Sequence, residues 1–234
     1  MKRILLFLFV LQLSSCAELQ QYVDTVPNAA LSNVQIGNGL KEALQNGITN
    51  QVSLLAVTDG FYKNDLAKIL MPTELQKVEK TLRKFGLGSI ADEGVKMLNR
   101  AAEDAVSEAT PIFVNAIKGL SLNDAKNILL GNNNAATTYL KNTTNQALYA
   151  KFEPVIKNSF KKVGADKIWS NLITKYNALP LTQNVNPDLT NYVTGEALKS
   201  VYTMVGKEEL NIRTKLSSRT SDLLKKVFAL QDNK

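Results

Sequence analysis

The sequence predicts an all-α protein, a single globular domain of about nine or ten helices behind an N-terminal export signal and a short tether. Apolar residues recur at spacings of three and four in almost every window from residue 36 onward. Helix punctuation by Pro, Gly, Asn and Asp returns every ten to twenty residues or so. No stretch alternates apolar and polar residues convincingly, Ser53–Thr58 being the nearest candidate for a strand.

In chain order, Lys2-Arg3, the apolar run Ile4–Leu13 and the small pair Ser14-Ser15 have the layout of a secretory signal over residues 1–15, too short to span a bilayer as a mature helix. The tetrad Leu13-Ser14-Ser15-Cys16 resembles the bacterial lipobox, which implies a diacylglycerol on the Cys16 sulfur and cleavage just before it. Acyl chains contribute about 0.8 kcal/mol per buried CH₂, so a multiply acylated cysteine anchors stably. Residues 16–32, with Pro27-Asn28 interrupting any helical period, read as the lipidated cysteine and a tether reaching roughly 50 Å if extended. Residues 33–234 are left for the helical domain.

A first helix is expected over Ile36–Val57, diluted by Gly37, Gly39 and Gly47 and closed by the turn dipeptide Asp59-Gly60. A second starts at Pro72, carries Leu75, Val78, Leu82 and Phe85 on one face, and ends at Gly86. The third, Ile90–Ala109, places Val95, Leu98, Ala102, Ala105 and Val106 together, and Pro111 starts or kinks the segment to Leu120. Ser121 with Asp124 resembles a capping box, and Gly131 closes that short helix before the turn Asn132–Asn134. Further helices are expected over Ala135–Lys151, Pro154–Val163 and Asp166–Ala178. After a proline-containing loop, Asn186-Pro187-Asp188 supplies an N-cap, a first-turn proline and a first-turn acid for a helix to Val205. Lys207–Lys215 and Thr220–Leu230 complete the set.

Composition removes several kinds of chemistry. With no histidine, Ser-His and Cys-His catalysis and imidazole ligation are out of reach. Cys16 is the only cysteine, so no intramolecular disulfide can form and core packing must hold the fold. Acidic neighbours such as Asp92-Glu93, or Asp59 with Asp65, lack calcium-loop spacing, so neither a metal nor a cofactor is expected. Beyond the signal, 26 basic and 21 acidic residues give a net of about +5, spread along the chain. That is a mildly basic solvated surface rather than a nucleic-acid footprint.

Three polar constellations stand out. Asn99 and Glu103 share a face of the third helix, with Arg100 three residues from Glu103. They either line a polar cleft or form a partly buried structural pair, and the flanking Ala101, Ala102 and Ala105 favour the pair. Removing either partner of such a pair would cost about 3 to 5 kcal/mol, and a double hydrophobic replacement would recover much of it. Arg213 (four after Glu209) and Arg219 (three before Asp222) are possible anion contacts that could clamp a phosphate or carboxylate, but helix-surface salt bridges account for the same spacing. The turn Gly131–Asn134, leading to Thr137 and Thr138, has the makings of an anion site at a helix N-terminus, although Gly131 is more simply a C-cap. Trp169 and Tyr176 read as core aromatics.

Read in order, Gly39-Leu40-Lys41-Glu42-Ala43-Leu44, Asn99-Arg100-Ala101-Ala102-Glu103, Asp124-Ala125 with Ile128-Leu129 and Gly131, Ala135-Ala136-Thr137, and Glu208-Glu209 through Arg213, Arg219 and Asp222-Leu223-Leu224-Lys225-Lys226-Val227-Phe228 are similar to the bacterial lipoprotein family called domain of unknown function 4197. The resemblance implies a helical, exported, lipid-anchored protein, and with no established activity in that family it carries over no catalytic residue. The expected role is a non-enzymatic interaction or ligand-binding module at the membrane surface. Its partners would be the membrane, through the lipid on Cys16, and an envelope protein, lipid or polymer. The expected address is the cell envelope, on the outer membrane facing the periplasm, because Ala17 rather than Asp follows Cys16. The competing expectation is a carboxylate-dependent hydrolase of envelope polymers, whose mark would be two carboxylates about 5 to 10 Å apart in a cleft.

Overall fold

Three glycines in the first helix are contact points rather than weaknesses. In the computed structural model, which describes residues 31–73, 75–86, 88–177 and 188–232, α1 spans Asn33–Ala56 and buries Ile36, Leu40, Ala43, Ile48, Val52 and Leu55. A Cβ on Gly39 would lie 2.6 Å from Val227 Cγ2, and one on Gly37 2.8 Å from Leu122, so two later helices seat against the bare backbone of α1. Residues 1–30, which hold the expected export signal, Cys16 and most of the tether, lie outside the described residues.

The remaining helices are α2 Gln76–Lys84, α3 Gly88–Val106, α4 Ala109–Lys118, α5 Leu122–Leu129, α6 Ala135–Lys162, α7 Ala165–Asn177, α8 Leu189–Thr214 and α9 Asp222–Asp232, with a 3-10 turn at Leu216–Ser218. The protein is all-α, and no strand occurs among the described residues. Ser53–Thr58, the nearest candidate for a strand, is helical to Ala56, as the helix expected over Ile36–Val57 implies, with Val52 and Leu55 buried on the face that α1 presents. Asn33–Lys234 forms one compact unit. Within it α1 packs on α3, α4, α5, α8 and α9, while α6 packs on α3, α4, α5, α7 and α8. Two helices sit at the margin: α2 rests chiefly on α3, and α7 chiefly on α6.

Two expected breaks do not occur. The helix pair Ala135–Lys151 and Pro154–Val163 is one helix, α6, with Pro154 inside it. Proline removes one N–H and costs about 3 kcal/mol in a helix interior. Here Leu148, Phe152, Ile156 and Phe160, all buried, continue one stripe across the site and outweigh it. The break at Gly206 is likewise absent, since α8 runs through with Val205 buried on one side and Glu209, Ile212 and Arg213 on the other.

The expected punctuation holds elsewhere. Gly86 adopts φ 75° just past α2, a left-handed conformation that glycine takes without penalty. Ser121 Oγ accepts from the Asp124 N–H at 3.1 Å, and Asp124 accepts in return from the Ser121 N–H at 3.2 Å, completing the capping box. The N-cap of α8 is Asp188, whose carboxylate accepts from the Thr190 N–H at 2.9 Å; it is not Asn186, which with Pro187 lies outside the described residues. Phe85, expected on the apolar face of α2, lies beyond its end and is 78% exposed. The side chains of Leu82, Leu172, Ile173 and Tyr176 are outside the described set.

Candidate functional site

The Asn99–Glu103 cluster on α3 clamps the chain between α1 and α2. Asn99, fully buried, accepts from the Ile69 N–H at 2.8 Å and donates to the Ile69 and Val95 carbonyls, so its amide works as a backbone mimic holding an irregular segment. Glu103 is buried and accepts three backbone N–H groups, from Asp59 at 3.2 Å, Phe61 at 3.1 Å and Tyr62 at 3.3 Å. Arg100 bridges Glu103 and the Asp59 carboxylate. Asp59 itself sits at φ 69°, in the left-handed region where Asp is among the few tolerated side chains. Lys63 and Arg100 donate to its carboxylate and hold its pKa below the ordinary value. The two carboxylates thus converge on one guanidinium, with no free acid left between them.

Arg213 and Arg219 are buried, which corrects the expectation of surface salt bridges. All five Arg213 donors are used: Glu209 takes two, the Ile128 and Leu129 carbonyls at the end of α5 take one each, and Gln231 takes the fifth. Arg219 donates to the Ile212 and Arg213 carbonyls at the end of α8 and, through two donors, to Asp232. Asp222, the partner suggested by spacing, pairs instead with Lys225 at 3.0 Å. The arginines therefore neutralise helix C-termini, where backbone carbonyls are left over and the dipole is negative. They have no set of donors to offer an outside anion.

The helix N-terminus after the Gly131–Asn134 turn does bind an anion, and the anion is internal. Glu209 accepts from the Ala136 N–H at 2.9 Å, the Thr137 N–H at 2.8 Å and the Thr137 hydroxyl at 2.6 Å. The physics expected from sequence is present, with a carboxylate of α8 in the position of an external ligand.

With these charges engaged, the most open chemistry lies beside the marginal helices. Met71, Leu75, Ala91, Met97, Ala165 and Trp169 line an almost wholly apolar cavity of about 180 Å³ between the start of α2, α3 and α7, with Glu79 and Glu93 at its rim. Trp169, expected in the core, is half-exposed and forms a wall of the cavity. It approaches α3 closely because Gly94 has no side chain, and a Cβ there would lie 2.9 Å from Trp169 Cζ2 and 2.8 Å from Met71 Cε. Sequence reading passed over this site, whose sign was two methionines and a lone tryptophan on three separate segments that only the fold brings together. Among the described residues no group of three or more Cys, Asp or Glu side chains could hold a metal, and no helix is long and apolar enough to cross a membrane.

No curated protein and no solved structure matches the chain. The family model described as Protein of unknown function (DUF4197) matches residues 30–229, which include every helix and both buried glutamate–arginine junctions apart from the last turn of α9. The chain belongs to that family.

Proposed function

We propose that this chain is a lipid-anchored envelope protein that acts as a non-catalytic binding module, holding a small apolar ligand in the cavity beside Trp169. The cavity carries the reading. At about 180 Å³ it exceeds the engineered cavities of about 150 Å³ that bind benzene, and it is lined by two adaptable methionines. The charge arrangement supports the absence of catalysis. Asp59, Glu103 and Glu209, the acids best placed for general acid–base work, are each tied to an arginine, and Glu103 and Glu209 also to backbone N–H groups. The address rests on Lys2-Arg3, the apolar run, the Leu13–Cys16 tetrad and Ala17, which favour a lipid on Cys16 and the periplasmic face of the outer membrane.

Titration with 1-decanol below its solubility limit, followed by the emission of Trp169, the only tryptophan, tests the reading. A saturable change is expected, and it should disappear in Val78→Phe and Met97→Phe, which fill the cavity from half-buried positions. No saturable change in the parent protein would overturn the binding role. Cys16→Ser is expected to release the protein from membranes after a carbonate wash, and retention would overturn the anchor.

A further inference from the structure

Resting on that reading, a second cavity defines the ligand's polar end. On the other side of Trp169 lies a cleft of about 520 Å³ that Lys157, Lys161 and Lys167 line together with Phe160 and Leu189. The two cavities adjoin through α7: Trp169 lines both, Ala165 lines the first, and Asp166 and Lys167 line the second. The three lysines are exposed and make no ion pair among the described residues, in contrast to the arginines of both buried junctions. The cleft also holds two carboxylates, fewer than its three lysines. Asp166 accepts the Lys167 N–H at 2.9 Å, and Asp188 caps α8 through the Thr190 N–H.

The site is thus polarised. An apolar slot, whose two carboxylates are paired, Glu79 with Arg83 at 2.9 Å and Glu93 with Lys96 at 3.6 Å, adjoins across one tryptophan a cleft with three lysines that make no ion pair among the described residues. The slot side therefore carries no unpaired cation to hold an anion, and the lysines favour one on the α6 side. The slot is too small for a drug-sized ligand, which occupies about 300 Å³ or more, and is suited to one narrow alkyl chain. We propose that the two cavities form one binding site for a medium-chain fatty acid, its tail in the slot against Trp169 and its carboxylate held by Lys157, Lys161 and Lys167.

Three ten-carbon probes of different head charge, decanoate, 1-decanol and decyltrimethylammonium, distinguish the head from the tail when titrated at pH 8 below micellar concentrations with Trp169 emission as readout. Decanoate is expected to bind about tenfold more tightly than decanol, and decyltrimethylammonium more weakly than either. Added salt should erode the advantage of decanoate and leave decanol unchanged. The triple variant Lys157→Gln, Lys161→Gln, Lys167→Gln, at solvent-exposed positions, should bring decanoate down to the affinity of decanol without altering decanol itself. Equal binding of decanoate and decanol, or a triple variant that keeps the preference, would overturn the fatty-acid assignment while leaving an apolar ligand in place. Failure of all three probes would instead remove the binding role on which it rests.

Discussion

Glu103 and Glu209 perform the same task in different surroundings. Each is a buried glutamate that accepts backbone N–H groups from a distant segment and is held by an arginine on its own helix, three residues before in α3 and four after in α8. The arginines differ. The Arg100 side chain is 33% exposed and spends its remaining reach on Asp59, whereas that of Arg213 is 2% exposed and spends its own on the α5 carbonyls and Gln231. One junction pins a single turn. The other ties α5, α6, α8 and α9 at one point. A local glutamate–arginine pair thus ranges from a peripheral latch to a central node according to what the guanidinium meets besides its carboxylate.

Removing each carboxylate separates the two junctions by the widest margin. Glu209→Ala leaves the Ala136 and Thr137 N–H groups without an acceptor and Arg213 as an uncompensated buried charge, so a loss of about 4 to 5 kcal/mol is expected in chemical denaturation. Glu103→Ala should cost somewhat less, about 3 kcal/mol, because Arg100 can turn to solvent and keeps Asp59. Replacing Arg100 and Glu103 together by apolar residues should not restore stability, contrary to the simple pair expectation, because the N–H groups of Asp59, Phe61 and Tyr62 would still lack an acceptor. A double variant as stable as the parent would show that these N–H groups find water.

Smaller still is Arg100→Met, expected to cost about 1 kcal/mol in the same experiment, since its partner retains three backbone donors. The smallest effect is in pH. Arg219 holds the Asp232 carboxyl below its ordinary pKa, and Lys63 with Arg100 does so for Asp59. The unfolded chain therefore takes up these protons first as pH falls. The stabilisation is complete above the unfolded value of about 3.9 and fades as pH drops through the folded values. Thermal melts of Asp232→Asn and Asp59→Asn should lie below the parent at pH 7 and approach it under more acid conditions. Parallel curves at every pH would remove the ion-pair contribution.

Much of the fold was legible in sequence because its helices announce their ends chemically, as the Ser121–Asp124 box and Gly86 do. Pro154 and Gly206 misled because local propensity was weighed without the stripe that overrides it. Ala136, Leu140, Thr144, Leu148, Phe152, Ile156 and Phe160 are all buried at strict four-residue intervals, and that interval continues past Pro154. Such a stripe turns by about 40° per step around the helix and blurs any single apolar face. The polar cluster was legible as residues but not as roles. Asn99, Arg100 and Glu103 do come together, yet their partners Asp59, Ile69 and Phe61 lie 30 or more positions away, and only tertiary structure supplies them. Arg219 was matched to Asp222 by local spacing, and lost it to Asp232 because α9 folds back on the end of α8.

That return of α9 makes the buried junction at the end of α8 a two-layered one. Gln231 and Asp232 supply the last acceptors for Arg213 and Arg219, and Glu209 supplies the acceptor for the first turn of α6, 73 positions earlier. A chain ending at α8 already contains the Glu209, Ile128 and Leu129 partners of Arg213 and lacks only the acceptor that Gln231 provides. The α5–α6 corner is thus tied by α8 itself, and α9 adds the outer acceptors: removing residues beyond Leu230 would leave one donor of Arg213 and two of Arg219 exposed to solvent while the inner junction stays whole.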